Sequence, residues 1–300
     1  MKEPSVCVLM STYNGEKFLL QQLQSIYDQQ GVSVSLLVRD DGSSDSTHEI
    51  LQCEAEANRL EWYVGENIKP ARSFLDLMDK AEGRADLYAF SDQDDVWNTG
   101  KLLAAAEAIG DLKGPALYMC QTKLVDEKLL PLSQINVSPY LTFGEALIYQ
   151  YASGCTMVFN EPLRKFVSSC KPRFIFMHDM WLLCVAFSVG STVVFDPKPY
   201  IMYRQHQSNA IGETVSKFRN WEKRMQRIYR NERIRSKTVM ELLEGYESMM
   251  CEEDRLLAKH IVNYRKSWRS KIWLIFCNRL RSSKKLINLT SRMAILSNRF

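Results

Sequence analysis

Three short apolar runs in the first third of the chain each stop abruptly in polar or acidic side chains. Ser5 to Met10 runs into Ser11-Thr12-Tyr13-Asn14, Ser33 to Arg39 into Asp40-Asp41, and Leu87 to Phe90 into Ser91-Asp92-Gln93-Asp94-Asp95. Runs of this length and composition read as buried strands. Between them the apolar spacing is helical. Phe18, Leu19, Leu23, Ile26 and Tyr27 predict a helix over 16–30, and further helices are expected over 47–57 and 73–81, with a strand near 62–64. Strands that alternate with helices imply right-handed crossovers and a mostly parallel sheet flanked by helices, an α/β fold. Ligands of such a sheet bind beyond the carboxyl ends of its strands. The polar and acidic clusters therefore converge on one edge.

The second half is less regular. Strands are expected at 116–121, 192–195 and 200–204, and a buried helix at 179–189. From Lys217 the pattern is helical and basic. Residues 1–216 carry a net charge of −9 and residues 217–300 a net charge of +13. This divides the chain into an acidic body over 1–212 and a basic helical C-terminal region over 213–300. A basic tail on an acidic body suits an anionic partner. No run reaches the roughly 18 apolar residues of a membrane-spanning helix, and MKEPSVCVLM lacks the pattern of a signal peptide. The eight cysteines show no paired or metal-binding spacing. On these features the protein is expected in the cytoplasm.

Five carboxylates at two neighbouring strand ends repel one another unless positive charge lies among them. Mg²⁺ or Mn²⁺ would resolve the conflict, because hard cations take one or two carboxylates together with phosphate oxygens. The same stretches are also good turn and cap sequences, and Asp45 reads as a cap. Three acids within Asp92-Gln93-Asp94-Asp95 exceed what capping requires.

The segments Val8-Leu9-Met10-Ser11-Thr12-Tyr13-Asn14-Gly15-Glu16, Arg39-Asp40-Asp41-Gly42-Ser43 and Asp92-Gln93-Asp94-Asp95-Val96-Trp97 resemble glycosyltransferase family 2 in order and spacing, over roughly residues 5–212. The resemblance implies the GT-A fold, a nucleoside-diphosphate sugar donor and a divalent metal. It implies that Thr12, Tyr13, Asn14 and Glu16 contact the nucleoside and that Asp40 or Asp41 binds base or ribose. Asp92 would face the ribose and Asp94 would hold the metal. Arg72 stands where relatives often carry a basic residue near the donor, although relatives have Gly at the position of Lys69. Arg72 equally suits a solvated helix surface.

His178-Asp179-Met180-Trp181 resembles the acidic motif at the start of a helix that supplies the family's base, which makes Asp179 the group that deprotonates the acceptor. Asp179 also suits an N-cap. By the same resemblance, Tyr203-Arg204-Gln205-His206-Gln207-Ser208-Asn209 closes over the diphosphate, with His206 on the metal and Arg204 on phosphate. Ser153-Gly154-Cys155 matches a small-residue turn near the sugar, and His48 and His260 read as ordinary packed residues.

The motif forms are similar to the rhamnosyltransferase-like branch, which implies transfer of L-rhamnose from dTDP-rhamnose to a glycan or lipid-linked acceptor in bacterial surface polysaccharide. A UDP-hexose-dependent transferase and a non-catalytic partner in polysaccharide assembly are the alternatives. A nucleotidyltransferase would need a Gly-rich basic loop, and the first loop is Ser-Thr-Tyr-Asn-Gly-Glu-Lys. In the tail, Tyr264 to Phe276 mixes aromatic and aliphatic residues with Lys and Arg, a composition for an anionic membrane surface at the inner face of the plasma membrane. Nucleic acid is not expected as a partner.

Overall fold

The computed structural model describes residues 3–132, 136–206 and 233–300. The first strands form as the apolar runs require: β1 (Ser5–Thr12), β2 (Ser33–Asp40), β3 (Glu61–Val64) and β4 (Leu87–Ser91). The helices between them are α1 (Leu19–Tyr27), α2 (Thr47–Glu56) and α3 (Pro70–Lys80). α1 is shorter than its apolar spacing suggests, because residues 15–18 are drawn into the loop that meets α2. α3 starts at Pro70 rather than Ser73. Proline at the first turn has its φ preset for a helix and lacks only an N–H that would go unused there.

Then follow β5 (Val96–Trp97), α4 (Lys101–Ile109), β6 (Ala116–Val125), α5 (Phe143–Ile148), β7 (Val158–Asn160), α6 (Glu161–Ser168), α7 (His178–Ser188) and β8 (Thr192–Arg204). The strands make one sheet in the order β3-β2-β1-β4-β7-β6-β8-β5. β3, β2, β1 and β4 are mutually parallel, β7 is antiparallel to both its neighbours, β6 and β8 are parallel, and β5 is antiparallel to β8. The parallel half is the one the sequence outlines.

β8 is a single strand where two were expected around Pro197 and Pro199. The pairing shows how the prolines are accommodated. Cys120 pairs with Asp196 and Gln121 with Pro199, so Pro197 and Lys198 are bulged out of the ladder and pairing resumes at Thr122 and Ile201.

Both faces of the sheet are covered, and β1 shows the consequence in sequence. Val6, Val8 and Met10 pack with the helices of one face, α1 and α4 among them, whereas Cys7 and Leu9 join the core under α3 and α7. A strand buried on both sides reads as a continuous apolar run instead of an alternating one.

The C-terminal region forms α8 (Ile234–Tyr246), α9 (Glu252–Asn263), α10 (Trp268–Phe276) and α11 (Lys285–Leu296). Val239, Leu242, Leu257, Ile261, Ile287 and Ile295 lie in the same core cluster as Leu9, Phe90 and Trp181. Trp181 of α7 meets the Tyr246 ring at 6.2 Å between centroids. The basic tail thus shares its core with the sheet. The expected boundary at residue 212, and the basic stretch from Lys217 to residue 232, lie outside the described residues.

Candidate active site

The loops after β1 and β2 are stitched together by side chains. Asn14 donates its N–H to Ser43 Oγ at 2.8 Å and accepts from Ser44 N at 2.8 Å through Oδ1. Glu16 accepts from Ser46 N at 3.0 Å, while its own N–H donates to Asp45 Oδ2 at 3.1 Å. These contacts cap α2 from outside, and Asp45 accepts at 2.6 Å from the Thr47 hydroxyl.

Asp40 organises that turn. Its Oδ1 accepts from Gly42 N at 3.0 Å, Ser43 N at 2.7 Å and His48 Nε2 at 2.7 Å; its Oδ2 accepts from Thr12 Oγ1 at 2.8 Å and Ser43 Oγ at 2.6 Å. Burial pushes this carboxyl up, but the donors together hold it below the usual range. Asp41 is buried against the Arg39 guanidinium and accepts from Ser73 Oγ at 2.6 Å. Arg39 also meets Asp76 at 3.1 Å and the Glu66 carbonyl at 3.0 Å. His48, read from sequence as an ordinary residue, therefore belongs to the Asp40 network and packs 5.5 Å from the Trp62 ring.

Removing Arg39 strips a buried acid of its counter-charge, which costs about 3–5 kcal/mol. Arg39→Ala is expected to lower the thermal midpoint by several degrees, measured by calorimetry; an unchanged melt would mean that the pair contributes nothing net.

The loop after β4 holds the acids. Asp94 Oδ2 lies 2.7 Å from His206 Nε2, with both side chains largely buried. Asp95 is fully buried; its Oδ1 accepts from Arg204 N at 3.0 Å and its Oδ2 meets no hydrogen-bond donor. Asp92 and Asp95 each offer an oxygen within 4.8 Å of the Cys155 Sγ, all three ligand atoms being mutually that close. Burial, followed by the charges of Asp94 and Asp179, pushes Asp92 up to about 7. Burial, followed by Asp94 and Asp92, pushes Asp95 well above the carboxylate range. This is the electrostatic signature of acids crowded without neutralisation.

Lys101 at the start of α4 is buried near them with no hydrogen-bond partner on Nζ, 3.1 Å from the centre of the Trp97 ring. Burial pulls its ammonium down to about 8. Sequence reasoning passed over Lys101 because it did not foresee α4, whose first turn buries this lysine. It likewise missed Cys155 as a neighbour of the acids, since two separate loops bring them together.

Asp94 with His206 fits a hard divalent cation better than does the Asp92–Asp95–Cys155 cluster. Burial and the adjacent acids raise the Cys155 thiol well above its ordinary value, which keeps it protonated, and a thiol is a poor ligand for Mg²⁺ or Mn²⁺. The carboxylate and imidazole of the first pair lie 2.7 Å apart, close enough for one cation to contact both.

Gln93, between the two acids, has a separate role. Its amide accepts from Tyr13 N at 2.9 Å and donates to Tyr13 O at 3.1 Å, so it pairs with the end of β1 as a strand residue would. Gly15 is needed there: a Cβ at that position would lie 2.4 Å from Gln93 Oε1. The Tyr13 ring itself is half-exposed at this edge.

Arg204 is the residue that the family resemblance sets on phosphate. Its guanidinium is buried, donating to Asp94 O at 2.7 Å, Glu127 O at 2.5 Å and Gln21 Oε1 at 2.5 Å, and it stacks 4.3 Å from the Phe18 ring. Its Nε donor ties the guanidinium to the backbone of the acidic loop at Asp94. Arg72 is exposed on α3 and donates to the carbonyls of Pro172 at 3.4 Å and Arg173 at 2.8 Å, ahead of α7. Gln207, Ser208 and Asn209 lie outside the described residues.

Asp179 sits in the first turn of α7, buried, and contributes to the charge around Asp92. Its Oδ1 accepts from Met180 N at 2.6 Å and its Oδ2 from Gln150 Nε2 at 2.5 Å. Burial raises it to about 6, above its ordinary value, although these donors act the other way. The preceding residue, His178, stacks on Phe74 at 3.9 Å and meets Phe90 edge-on at 4.9 Å. Gly154 leaves the space this ring needs, since a Cβ there would fall 2.3 Å from His178 Nε2. Burial lowers His178 to about 3, so it is a neutral wedge beneath the candidate base.

A sheet of this order with acids at its strand tips belongs to the GT-A type of α/β transferase, and solved structures agree. Residues 1–349 of S. aureus TarS superpose with a TM-score of 0.58 at 17% identity, covering 98% of this chain and 89% of that one. The mannosyltransferase PcManGT of Pyrobaculum calidifontis gives a TM-score of 0.59 at 15% identity, covering 99% and 75%. The family model for glycosyl transferase family 2 matches residues 7–160. The chain belongs to glycosyltransferase family 2, and it is a hexosyl-transferring enzyme. Among curated relatives it is 29% identical over 229 residues to the dTDP-rhamnosyl transferase RfbG of Shigella flexneri, covering 69% of this chain and 75% of that protein. It is 29% identical over 148 residues to the putative teichuronic acid biosynthesis glycosyltransferase TuaG of Bacillus subtilis, covering 48% and 58%.

Proposed function

We propose that this enzyme transfers L-rhamnose from dTDP-rhamnose to a hydroxyl of a glycan or lipid-linked acceptor during synthesis of a bacterial cell-surface polysaccharide. The observation that carries the chemistry is the pair of acidic stations at one sheet edge: Asp94 with His206 after β4, and Asp179 held by Gln150 at the start of α7. The donor assignment is supported by the similarity to RfbG, whose name specifies dTDP-rhamnose, and the polysaccharide role by that to TuaG.

In this reading Asp179 removes the proton of the acceptor hydroxyl as its oxygen attacks the anomeric carbon, and the nucleoside diphosphate leaves from the opposite face. One displacement inverts the anomeric centre. A buried base raised to about 6 keeps proton affinity near the working pH, which favours general-base catalysis. Asp94 and His206 would hold Mg²⁺ or Mn²⁺, with Asp92 close by. A divalent cation bound there offsets the negative charge that builds on the leaving diphosphate. Thr12, Asn14, Glu16, Asp40 and Asp41 shape the nucleoside side, and Tyr13 offers a half-exposed ring against which a base can stack. Arg72, anchored ahead of α7, would meet the donor from that side.

A UDP-hexose donor is the second reading, because the TarS structure with UDP-GlcNAc shares the fold. Calorimetric titration of dTDP, UDP and GDP with and without Mn²⁺ separates the two. Metal-dependent binding is expected for dTDP, at least about tenfold tighter than for UDP, a difference of about 1.4 kcal/mol. A preference for UDP would discard the rhamnose assignment.

A further inference from the structure

The outer face of the C-terminal helices is apolar where a solvated helix would be polar. On α10, Trp268, Ile272 and Phe276 recur at every fourth residue and are 69%, 47% and 72% exposed. Residues four apart share a helix face, so the three form one protruding stripe. The opposite face, with Ser270 and Leu274, is the one turned into the protein. Arg269 and Lys271 flank the stripe on either side at helical spacing.

α11 packs on α10 and repeats the arrangement. Leu286, Leu289, Met293 and Leu296 are exposed, while Ile287, Ala294 and Ile295 point inward. Lys285 and Arg292 border that second stripe. The Lys271 ammonium reaches the Leu296 carbonyl at 3.5 Å, which joins the rim of one stripe to the end of the other.

Charge identifies the occupant. Residues 264–300 contain ten Lys and Arg and no Asp or Glu. A second copy of the same face would set these cations against one another. A nucleic acid would match the charge but leave the apolar stripes in water. An anionic bilayer surface satisfies both: tryptophan and phenylalanine enter the headgroup boundary, and the flanking lysines and arginines meet lipid phosphates. Among the described residues no helix is long and apolar enough to cross a membrane, so contact of this kind is interfacial.

We infer that α10 and α11 form a docking surface for anionic lipid, using the Trp268–Ile272–Phe276 stripe as its apolar edge. The surface is coupled to the active site by packing. Ser283, just before α11, donates its N–H to Glu145 Oε1 at 2.9 Å, and Arg235 of α8 donates to the Leu147 carbonyl at 3.2 Å. Both acceptors lie on α5, which leads directly to Gln150 and so to Asp179. Docking therefore holds the candidate base at a set height above the lipid, where a lipid-linked acceptor would present its hydroxyl. The docking itself stands independently of the donor assignment.

Co-sedimentation of the full chain with vesicles tests it without an activity assay. Partition into phosphatidylcholine vesicles containing phosphatidylglycerol is expected to exceed that into pure phosphatidylcholine by about tenfold or more and to collapse at high salt. The Trp268→Glu/Phe276→Glu double variant, changed only at exposed positions, is expected to keep its circular dichroism and melting curve and to lose about tenfold or more in partition. Trp268→Phe is expected to retain partition while losing much of the tryptophan quenching by brominated acyl chains. Equal partition into neutral and anionic vesicles, or wild-type binding by the double variant, would overturn the proposal. So would an oligomer of the wild-type chain that the double variant dissolves, since the face would then belong to a second copy.

Discussion

Asp179→Asn is expected to lower turnover by about 10²–10⁴-fold, the span attributed to a positioned general base, with little change in donor affinity. The side chain is buried, and its two oxygens are held by Met180 N and Gln150 Nε2. An amide of the same shape keeps the packing and loses the basic lone pair. Burial raises the Asp179 carboxyl to about 6, and the active form is the ionised one. The wild-type rate should therefore climb about tenfold per pH unit below that value and level off above it. The stability sign runs the other way. The native state holds this proton more tightly than the unfolded chain, so the residue's contribution is most favourable below the unfolded value of 3.8 and declines as pH rises through about 6. Asp179→Asn should accordingly melt no lower than wild type at neutral pH, which separates loss of chemistry from loss of fold. Turnover within tenfold of wild type would remove Asp179 from the base role.

The second large effect belongs to Asp94. Asp94→Ala is expected to abolish the Mn²⁺ dependence of nucleotide binding and to reduce turnover by about three orders of magnitude, as befits removal of several kcal/mol of charge stabilisation. Asp95→Asn is the informative contrast. Asp95 is fully buried, accepts from Arg204 N and has its other oxygen unpartnered. An amide there retains the accepting oxygen and relieves repulsion from Asp94 and Asp92, so the metal dependence should survive. Calorimetry with and without Mn²⁺ reads both. An Asp94→Ala protein whose nucleotide affinity still responds to Mn²⁺ would place the cation elsewhere in the cluster.

The parallel half of the sheet was legible because its strands are buried on both faces and end in polar clusters. Ser5 to Thr12 could hardly be anything else. α4 was missed although Leu102, Ala105, Ala106 and Ile109 have helical spacing, because the acidic run just before it drew the reading toward a loop. β8 was read as two strands because prolines seldom enter a sheet, and only the pairing with β6 reveals the bulge that admits them. At the site, the sequence singled out the acids but did not show which of them already have partners within the chain. Asp41 is matched by Arg39, a residue two positions earlier on the same strand. Arg204 is engaged by carbonyls and an amide from three separate segments. Gln150, which holds Asp179, carries no local signal at all, since its role depends on a contact across 29 residues.

The Gln93 amide has an evolutionary consequence. Because it joins the backbone of Tyr13 in both directions and rests over Gly15, the loops after β1 and β4 behave as one clamp with a single seam. A side chain introduced at position 15 would open that seam as surely as removal of the amide. The two lesions should then be strongly non-additive, each leaving little for the other to destroy. Under the proposed function, drift toward a new nucleotide would have to proceed through the clamp's rim, at Tyr13 or in the β2 turn, while the seam itself stays closed.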